Sequence, residues 1–178
     1  SFAGIAYRVA VSVRVRIERL VAGGDGLARE PEGRVVFVPG VVPGELVDVS
    51  IARSRKDVAH ATLDSVIEDG AARVVPPCAA HHRGCGGCDW QHVDPEQQLG
   101  LKAGIVREAL RRTGRLPDAV VEIGGSVAPW AYRTSMRFAL DSTGRPSLRR
   151  ARSNDMVDVD DCLIAHQRLV DVIRTLRV

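Results

Sequence analysis

VSVRVRIERLVAGGDGLAREPEGRVVFVPGVVPGELVDVSIARSRKDVAHATLDSVIE, residues 11–68, decides the architecture of the first part of the chain. VSVRVRI (11–17) alternates apolar and polar side chains with period two, the pattern of a strand with one buried face. AGGDG (22–26) interrupts it, and Gly23, Gly24 and Gly26 suit a turn that needs positive φ. RVVFV (34–38) is a second strand, ended by Pro39–Gly40, and VVPGE (41–45) is another turn. ELVDVSIA (45–52) alternates again, and DVAHATLDSVIE (57–68) completes a set of about five strands. Short strands at this spacing predict a small closed barrel, because closure leaves no exposed sheet edge.

Beyond the barrel, Pro76–Pro77 opens a cysteine-rich loop, PPCAAHHRGCGGCDWQH (76–92). A helix start follows: Asp94 suits the N-cap, Pro95 the first turn and Gln97 a capping box. Leu99, Ile105, Val106, Ala109 and Leu110 form the expected apolar stripe, and Gly114 the stop. AYRTSMRFAL (131–140) predicts a strand and STGRP (142–146) a hairpin turn, with SLRRARS (147–153) and DMVDVDD (155–161) as further short strands. The stretch from Ala165 to Val178 predicts a closing helix with Leu169, Val170, Ile173 and Leu176 on its apolar face. The predicted architecture is therefore a β-barrel, a cysteine loop and a small α+β unit.

Composition narrows the function classes. Hydrophobic residues make up 45% and charged residues 26% of the 178, which is globular rather than disordered. No apolar run approaches the roughly 20 residues that span a bilayer, and no charged-then-apolar leader is present. The expectation is a soluble cytoplasmic monomer with no membrane partner. The chain begins at Ser1 rather than Met, which leaves its true start open. The net charge of +3 is modest, yet Lys56 and Lys102 are the only lysines, so the positive charge is almost all arginine. Arginine's planar fork suits phosphate and base edges, although GC-rich coding also enriches it.

The four cysteines carry the strongest chemical signal. Cys78, Cys85, Cys88 and Cys162 read as C-x6-C-x2-C-x73-C. In reducing surroundings such clustering favours metal over disulfide. A zinc ribbon supplies two C-x-x-C knuckles. Here there is one knuckle, one flanking cysteine and one distant cysteine, an arrangement familiar from iron–sulfur proteins. Gly84, Gly86 and Gly87 allow backbone amides to approach sulfur. Zinc stays open as the alternative, with His81, His82 and His92 as further ligands.

PPCAAHHRGCGGCDWQHVDPEQQLGLKAGIVREAL resembles the cluster-and-helix signature of the iron–sulfur-containing RNA (uracil-5-)-methyltransferases, most closely their ribosomal-RNA branch. RVRIERLVAGGDGLARE and RVVFVPGVVPGELVDVSI resemble that family's N-terminal TRAM domain, an OB-like barrel, and AYRTSMRFAL and VDVDDCLIAH resemble its central domain. The likeness covers about residues 10 to 170, and C-G-G-C-x-x-Q-H from Cys85 to His92 is its most specific element. The first cysteine spacing, six residues, departs from the five associated with the family's best-known members. The fold class implied is β-rich α+β: a TRAM barrel over residues 10–69, then an iron–sulfur loop and central α+β domain over 70–178.

The resemblance implies a 4Fe-4S cluster on Cys78, Cys85, Cys88 and Cys162, and an intact enzyme that uses S-adenosylmethionine to make 5-methyluridine. It further implies RNA as partner, ribosomal RNA ahead of tRNA. The family's methyltransferase domain is absent from this sequence. No glycine-rich strand-to-helix turn offers a donor site, and no cysteine is left over as nucleophile. No catalytic residue is therefore expected here, and the chain alone is expected to be inactive. Candidate phosphate contacts are Arg29, Arg34, Arg53, Arg55 and Lys56 on the barrel, with Arg133, Arg137, Arg149 and Arg150 as a second basic set. Aromatics are only 4% of the residues, which argues against base stacking as the main term on the barrel. The reading from a different class is a stand-alone RNA-binding metalloprotein without enzyme activity.

Overall fold

The computed structural model describes residues 12–176. Residues 10 and 11, where the expected barrel begins, and 177–178, the end of the expected last helix, lie outside the described residues. The chain divides into two compact units, described separately below. One contains residues up to Arg73 together with Gly104–Ala119, and the other Val74–Ala103 together with Val120 onward.

The first unit is a closed five-stranded barrel built from β1 (Ser12–Leu20), β2 (Gly26–Arg29), β3 (Val35–Val38), β4 (Leu46–Ser54) and β5 (Val58–Glu68). The order around it is β1-β2-β3-β5-β4, with β1 and β4 closing the ring. All neighbours are antiparallel except β3 and β5, which run parallel with Val35 opposite Val58 and Phe37 opposite His60. This is the OB-like arrangement. Alternation decides which side chains enter: Val15 and Ile17, Val36 and Val38, Val47 and Val49, and Ala59 and Ala61 are all buried in one core. Branched and small residues suit so narrow a barrel. Register shifts between β4 and β5 at Leu46/Val47, Asp48/Val49 and Ile51/Arg53 coil these long strands enough to close it.

β2 does not alternate, since Gly26, Leu27 and Ala28 are all buried, and so it escapes a period-two search. Gly23 and Gly24 take φ of 97° and 90°, as the turn reading requires. Gly26 serves another purpose: a Cβ there would stand 2.3 Å from Val41 Cγ2 and 3.0 Å from Ile17 Cγ2. It lets β2 pass close over the core.

A buried ion pair seals one end of the barrel. Glu45 is fully buried and accepts two hydrogen bonds from Arg73, at 2.6 and 2.7 Å, and one from the Val42 amide at 2.8 Å. Arg73 also donates to the Gly40 carbonyl at 3.0 Å. The segment after β5 is thereby tied to the turn before β4.

The second unit holds α1 (Ala79–His82), a three-stranded sheet of β6 (Ala139–Leu140), β7 (Pro146–Arg149) and β8 (Met156–Asp158), and α3 (Gln167–Thr175). α2 (Pro95–Arg112) begins in this unit, and its residues from Gly104 belong to the first. The Asp94 carboxylate caps α2 by accepting from the Glu96 amide at 3.0 Å. Its expected apolar stripe is not buried: Leu99, Ile105 and Leu110 are half-buried, and Val106 and Ala109 are exposed. No residue of α2 is fully buried, so it is a surface helix.

Two further expectations are corrected here. Residues 131–140 form a strand only at Ala139–Leu140. Ala131 takes a left-handed φ of 54°, and the following residues bond to residues 163–166 through a single parallel bridge, Arg133 with Ala165. The closing helix ends at Thr175, with Val170 and Ile173 buried and Leu176 exposed beyond its end.

Candidate functional site

The core of the second unit is built around sulfur. Cys162 is buried with Ala80, Val159, Ile164, Ala165, Val170 and Ile173, and Cys78, Cys85 and Cys88 pack against this cluster. All four cysteines are free thiols, and all four line one cavity. Ala80, Met136, Leu148, Val159 and Ile164 supply its apolar walls, with His81 and Gln91 at its edge.

Local structure explains three of these positions. Cys78 immediately precedes α1, and the Cys85 amide donates to the Ala80 carbonyl at 2.9 Å, so one short helical turn places both. Residues 84–86 then pair with the end of β7: Gly86 N donates to Arg149 O and Ala151 N to Gly84 O, both at 2.9 Å. That pairing needs glycine. Gly84 has φ 89° with Arg150 lying over it, and a Cβ on Gly86 would stand 2.8 Å from the Ala151 Cα. Cys88 follows at the C-x-x-C spacing, and Cys162 arrives from the link between β8 and α3.

Amides converge on the sulfurs. Gly87 N points at Cys85 Sγ at 3.4 Å, and the Ile164 and Ala165 amides face the Cys162 sulfur. Burial pushes the Cys88 and Cys162 thiols up, and the other cysteines' charges push the same way, against the Gln91 side chain and these amides. A donor set of four thiols in an apolar pocket, with amides already aimed at sulfur, fits a thiolate-bound inorganic group. Among the described residues no group of three or more His, Cys, Asp or Glu side chains is placed to hold a metal ion. Of the three histidines, His81 lines the cavity, and burial lowers its pKa first, with His82 adding. His82 Nε2 lies 2.8 Å from the Pro76 carbonyl, and His92 is buried away from the cavity lining.

The candidate phosphate contacts divide between the units. Arg29, Arg34, Arg53, Arg55 and Lys56 belong to the barrel, whereas Arg133 and Arg137 are exposed on the irregular stretch of the second unit. Arg34 is committed elsewhere. Its guanidinium donates to both Glu30 oxygens, at 2.5 and 2.7 Å, and to Ser54 Oγ at 2.6 Å. The Arg34 hydrogen bonds hold the Glu30 carboxyl below its usual range. Arg29 lies 3.6 Å from Glu18 and donates to Gly33 O. Arg53, Arg55 and Lys56 are exposed at the β4–β5 turn, with no carboxylate partner among the described residues. Arg149 bonds to Asn154. No helix among the described residues is long and apolar enough to cross a membrane.

Comparison with known proteins bears on both units. Residues 9–63 match the TRAM domain family. A 23S rRNA (uracil(1939)-C(5))-methyltransferase RlmD from Halomonas elongata is 38% identical over 90% of the chain, which covers 34% of that relative. The RlmD of Chromohalobacter salexigens is 39% identical over 90% of the chain, again 34% of the relative. The chain thus spans about a third of the length of the curated relatives it matches. Among solved structures, the tRNA (uracil-54, C5)-methyltransferase of Pyrococcus abyssi, in complex with S-adenosyl-L-homocysteine, shares the fold over 89% of the chain and 34% of its own. The TM-score is 0.56 at 20% identity. The barrel is thus a TRAM domain, and the chain is homologous to the N-terminal part of RlmD-type 23S rRNA (uracil-C5)-methyltransferases.

Proposed function

We propose that this chain is the RNA-recognition and iron–sulfur part of an S-adenosylmethionine-dependent enzyme that methylates uracil C5 in RNA, ribosomal RNA ahead of tRNA. The observation that carries the reading is the extent of the homology. It runs through the barrel and the cysteine unit alike, over 90% of the chain, in relatives named for that reaction. In this reading the barrel and the second unit present cations to the RNA backbone: Arg29, Arg53, Arg55 and Lys56 on the first, Arg133 and Arg137 on the second. Arg34 shapes the turns rather than touching phosphate, because its donors are spent on Glu30 and Ser54.

Cys78, Cys85, Cys88 and Cys162 would hold a 4Fe-4S cluster. One C-x-x-C knuckle with one flanking and one distant cysteine, all four lining one pocket, suits a cluster better than a zinc ribbon's two knuckles. When bound, such a group supplies four strong bonds between the loop at 78–88 and the link to α3. Its role in this reading is to complete a core, since a small unit with short strands has little else to stabilise it.

Methyl transfer needs a nucleophile and a base beside an extruded uracil. With every cysteine lining the cavity, these 178 residues offer no thiol for that purpose. The test is incubation with labelled S-adenosylmethionine and unmodified 23S rRNA. The chain alone is expected to yield no 5-methyluridine. A version extended to the full length of the relatives is expected to yield it. Turnover by the chain alone overturns the assignment of the active site elsewhere. No product from the extended protein on either rRNA or tRNA leaves the stand-alone RNA-binding metalloprotein as the better reading.

A further inference from the structure

One face of the barrel carries a feature that composition argues against. β3 and β5 are parallel neighbours whose outward side chains are Val35 and Phe37 on one, Val58 and His60 on the other, while Val36, Val38, Ala59 and Ala61 point inward. Phe37 is half-buried and His60 exposed, with ring centroids 5.4 Å apart and planes tilted by 34°. Residues directly opposite in a ladder share a face. Arg53, opposite His60, therefore flanks the ring pair from β4, and Arg29, opposite Val35, flanks the same apolar block from β2. Arg55 and Lys56 extend the positive edge along the β4–β5 turn.

The geometry points to a stacking site for an unpaired nucleobase on the Phe37–His60 ring pair, with Arg53, Arg55 and Lys56 holding the adjoining phosphates. The inference rests on the RNA reading above and names its form: a single-stranded stretch gripped by a base face as well as by charge. A half-buried Phe beside an exposed imidazole offers a ring step on the barrel surface. Bases of any sequence offer it a π-face. An isolated apolar patch would suit a protein partner equally. Arg53, Arg55 and Lys56 beside this one, with no carboxylate partner among the described residues, suit a polyanion whose bases are free to stack.

The test uses the whole chain and two probes of matched length, single-stranded oligouridylate and an abasic oligoribose phosphate. His60→Thr, an exposed change that leaves the core intact, and Phe37→Leu, which keeps an apolar side chain, are combined. The pair should weaken oligouridylate binding by about tenfold at every salt concentration and leave the abasic probe unaffected. Arg53→Ala, Arg55→Ala and Lys56→Ala together should weaken both probes and flatten the dependence of log affinity on log salt by about 2. Should the ring changes leave oligouridylate binding untouched, or weaken both probes alike, the stacking site is wrong while the RNA reading stands. His60→Thr alone reports on the rings even if Phe37→Leu perturbs the barrel. If the unaltered chain binds neither probe, the RNA reading fails together with the stacking site.

Discussion

The barrel and the cysteine unit solve the same problem in opposite ways. The barrel buries ten Val, Ile and Ala side chains in one core, closes every strand edge and seals one end with the Glu45–Arg73 pair. Each of these contacts lies within the polypeptide. The second unit's sheet has strands of two to four residues, and its core includes one buried and three half-buried thiols. Thiols are weak partners for one another, so four of them facing a cavity leave a core unfinished. One unit is held by side-chain packing, and the other, in the proposed reading, is completed by a group bound to its thiols. The stability of each should therefore answer to a different perturbation.

The largest expected effect follows directly. Anaerobic reconstitution with ferrous iron and sulfide should give a brown protein with about four irons per chain. Amide hydrogen exchange across residues 78–92 and 156–170 should slow by orders of magnitude, because a structural metal site contributes folding energy outright. The barrel amides should be indifferent. Cys162→Ser should abolish both colour and protection, although that residue is far from the loop in sequence. A colourless protein holding one zinc would replace the cluster but keep the site. Equal protection with and without metal would remove the contrast between the units.

The counterpart perturbation belongs to the barrel. Glu45→Ala strands the Arg73 guanidinium, whose side chain is only 17% exposed beside a fully buried partner. Removing one member of such a pair costs about 3–5 kcal/mol. Hydrogen exchange of the β1–β5 amides should accelerate accordingly, with the metal-loaded cysteine unit little changed. Replacing Glu45 and Arg73 together by Met should recover much of the loss, since no charge is then left buried without its partner. If Glu45→Ala alters both units equally, they do not fold as separate structures and the comparison collapses.

What the sequence makes legible follows the range of the signal. Alternation is local, so β1, β3, β4 and β5 can be read directly, whereas β2 hides because Leu27 and Ala28 are both buried. The parallel pairing of β3 with β5 has no local signature, and the Phe37–His60 pair depends on it. Counting aromatics therefore missed what register brings together. Glu45 looks like an ordinary turn carboxylate until Arg73 arrives 28 residues later. Arg34 is a similar case: its sequence context suggests a free cation, but Glu30 and Ser54 occupy it. The cysteine spacing names three partners, and only the fold brings Cys162 to the same cavity. Residues 131–138 have a strand's composition but form none, because residues 163–166 offer that stretch one bridge instead of a full ladder.

The smallest expected effect concerns how the barrel's cationic turns are held. Arg34 joins Glu30, before β3, to Ser54, at the end of β4, and so braces the β4–β5 turn that carries Arg55 and Lys56. Its hydrogen bonds draw the Glu30 carboxyl below the ordinary range, with burial opposing and the Arg34 charge adding. A carboxylate with a depressed folded pKa contributes stability that is present above its unfolded value, about 4.3 for Glu, and lost as pH falls through the folded value. Barrel amide protection should therefore decline below about pH 4.3, with Asp48, lowered by its Arg14 hydrogen bond, contributing to the same acid limb. Glu30→Gln should be less stable than the parent at neutral pH and should fall less steeply, so that the two curves converge in acid. It should also loosen the β4–β5 turn first, because Arg34 then bonds Ser54 without its charged anchor. Curves that stay parallel throughout would show that packing alone holds the turns. In that case the barrel's contrast with the thiol-built unit is sharper still, resting on its apolar core and the single buried pair.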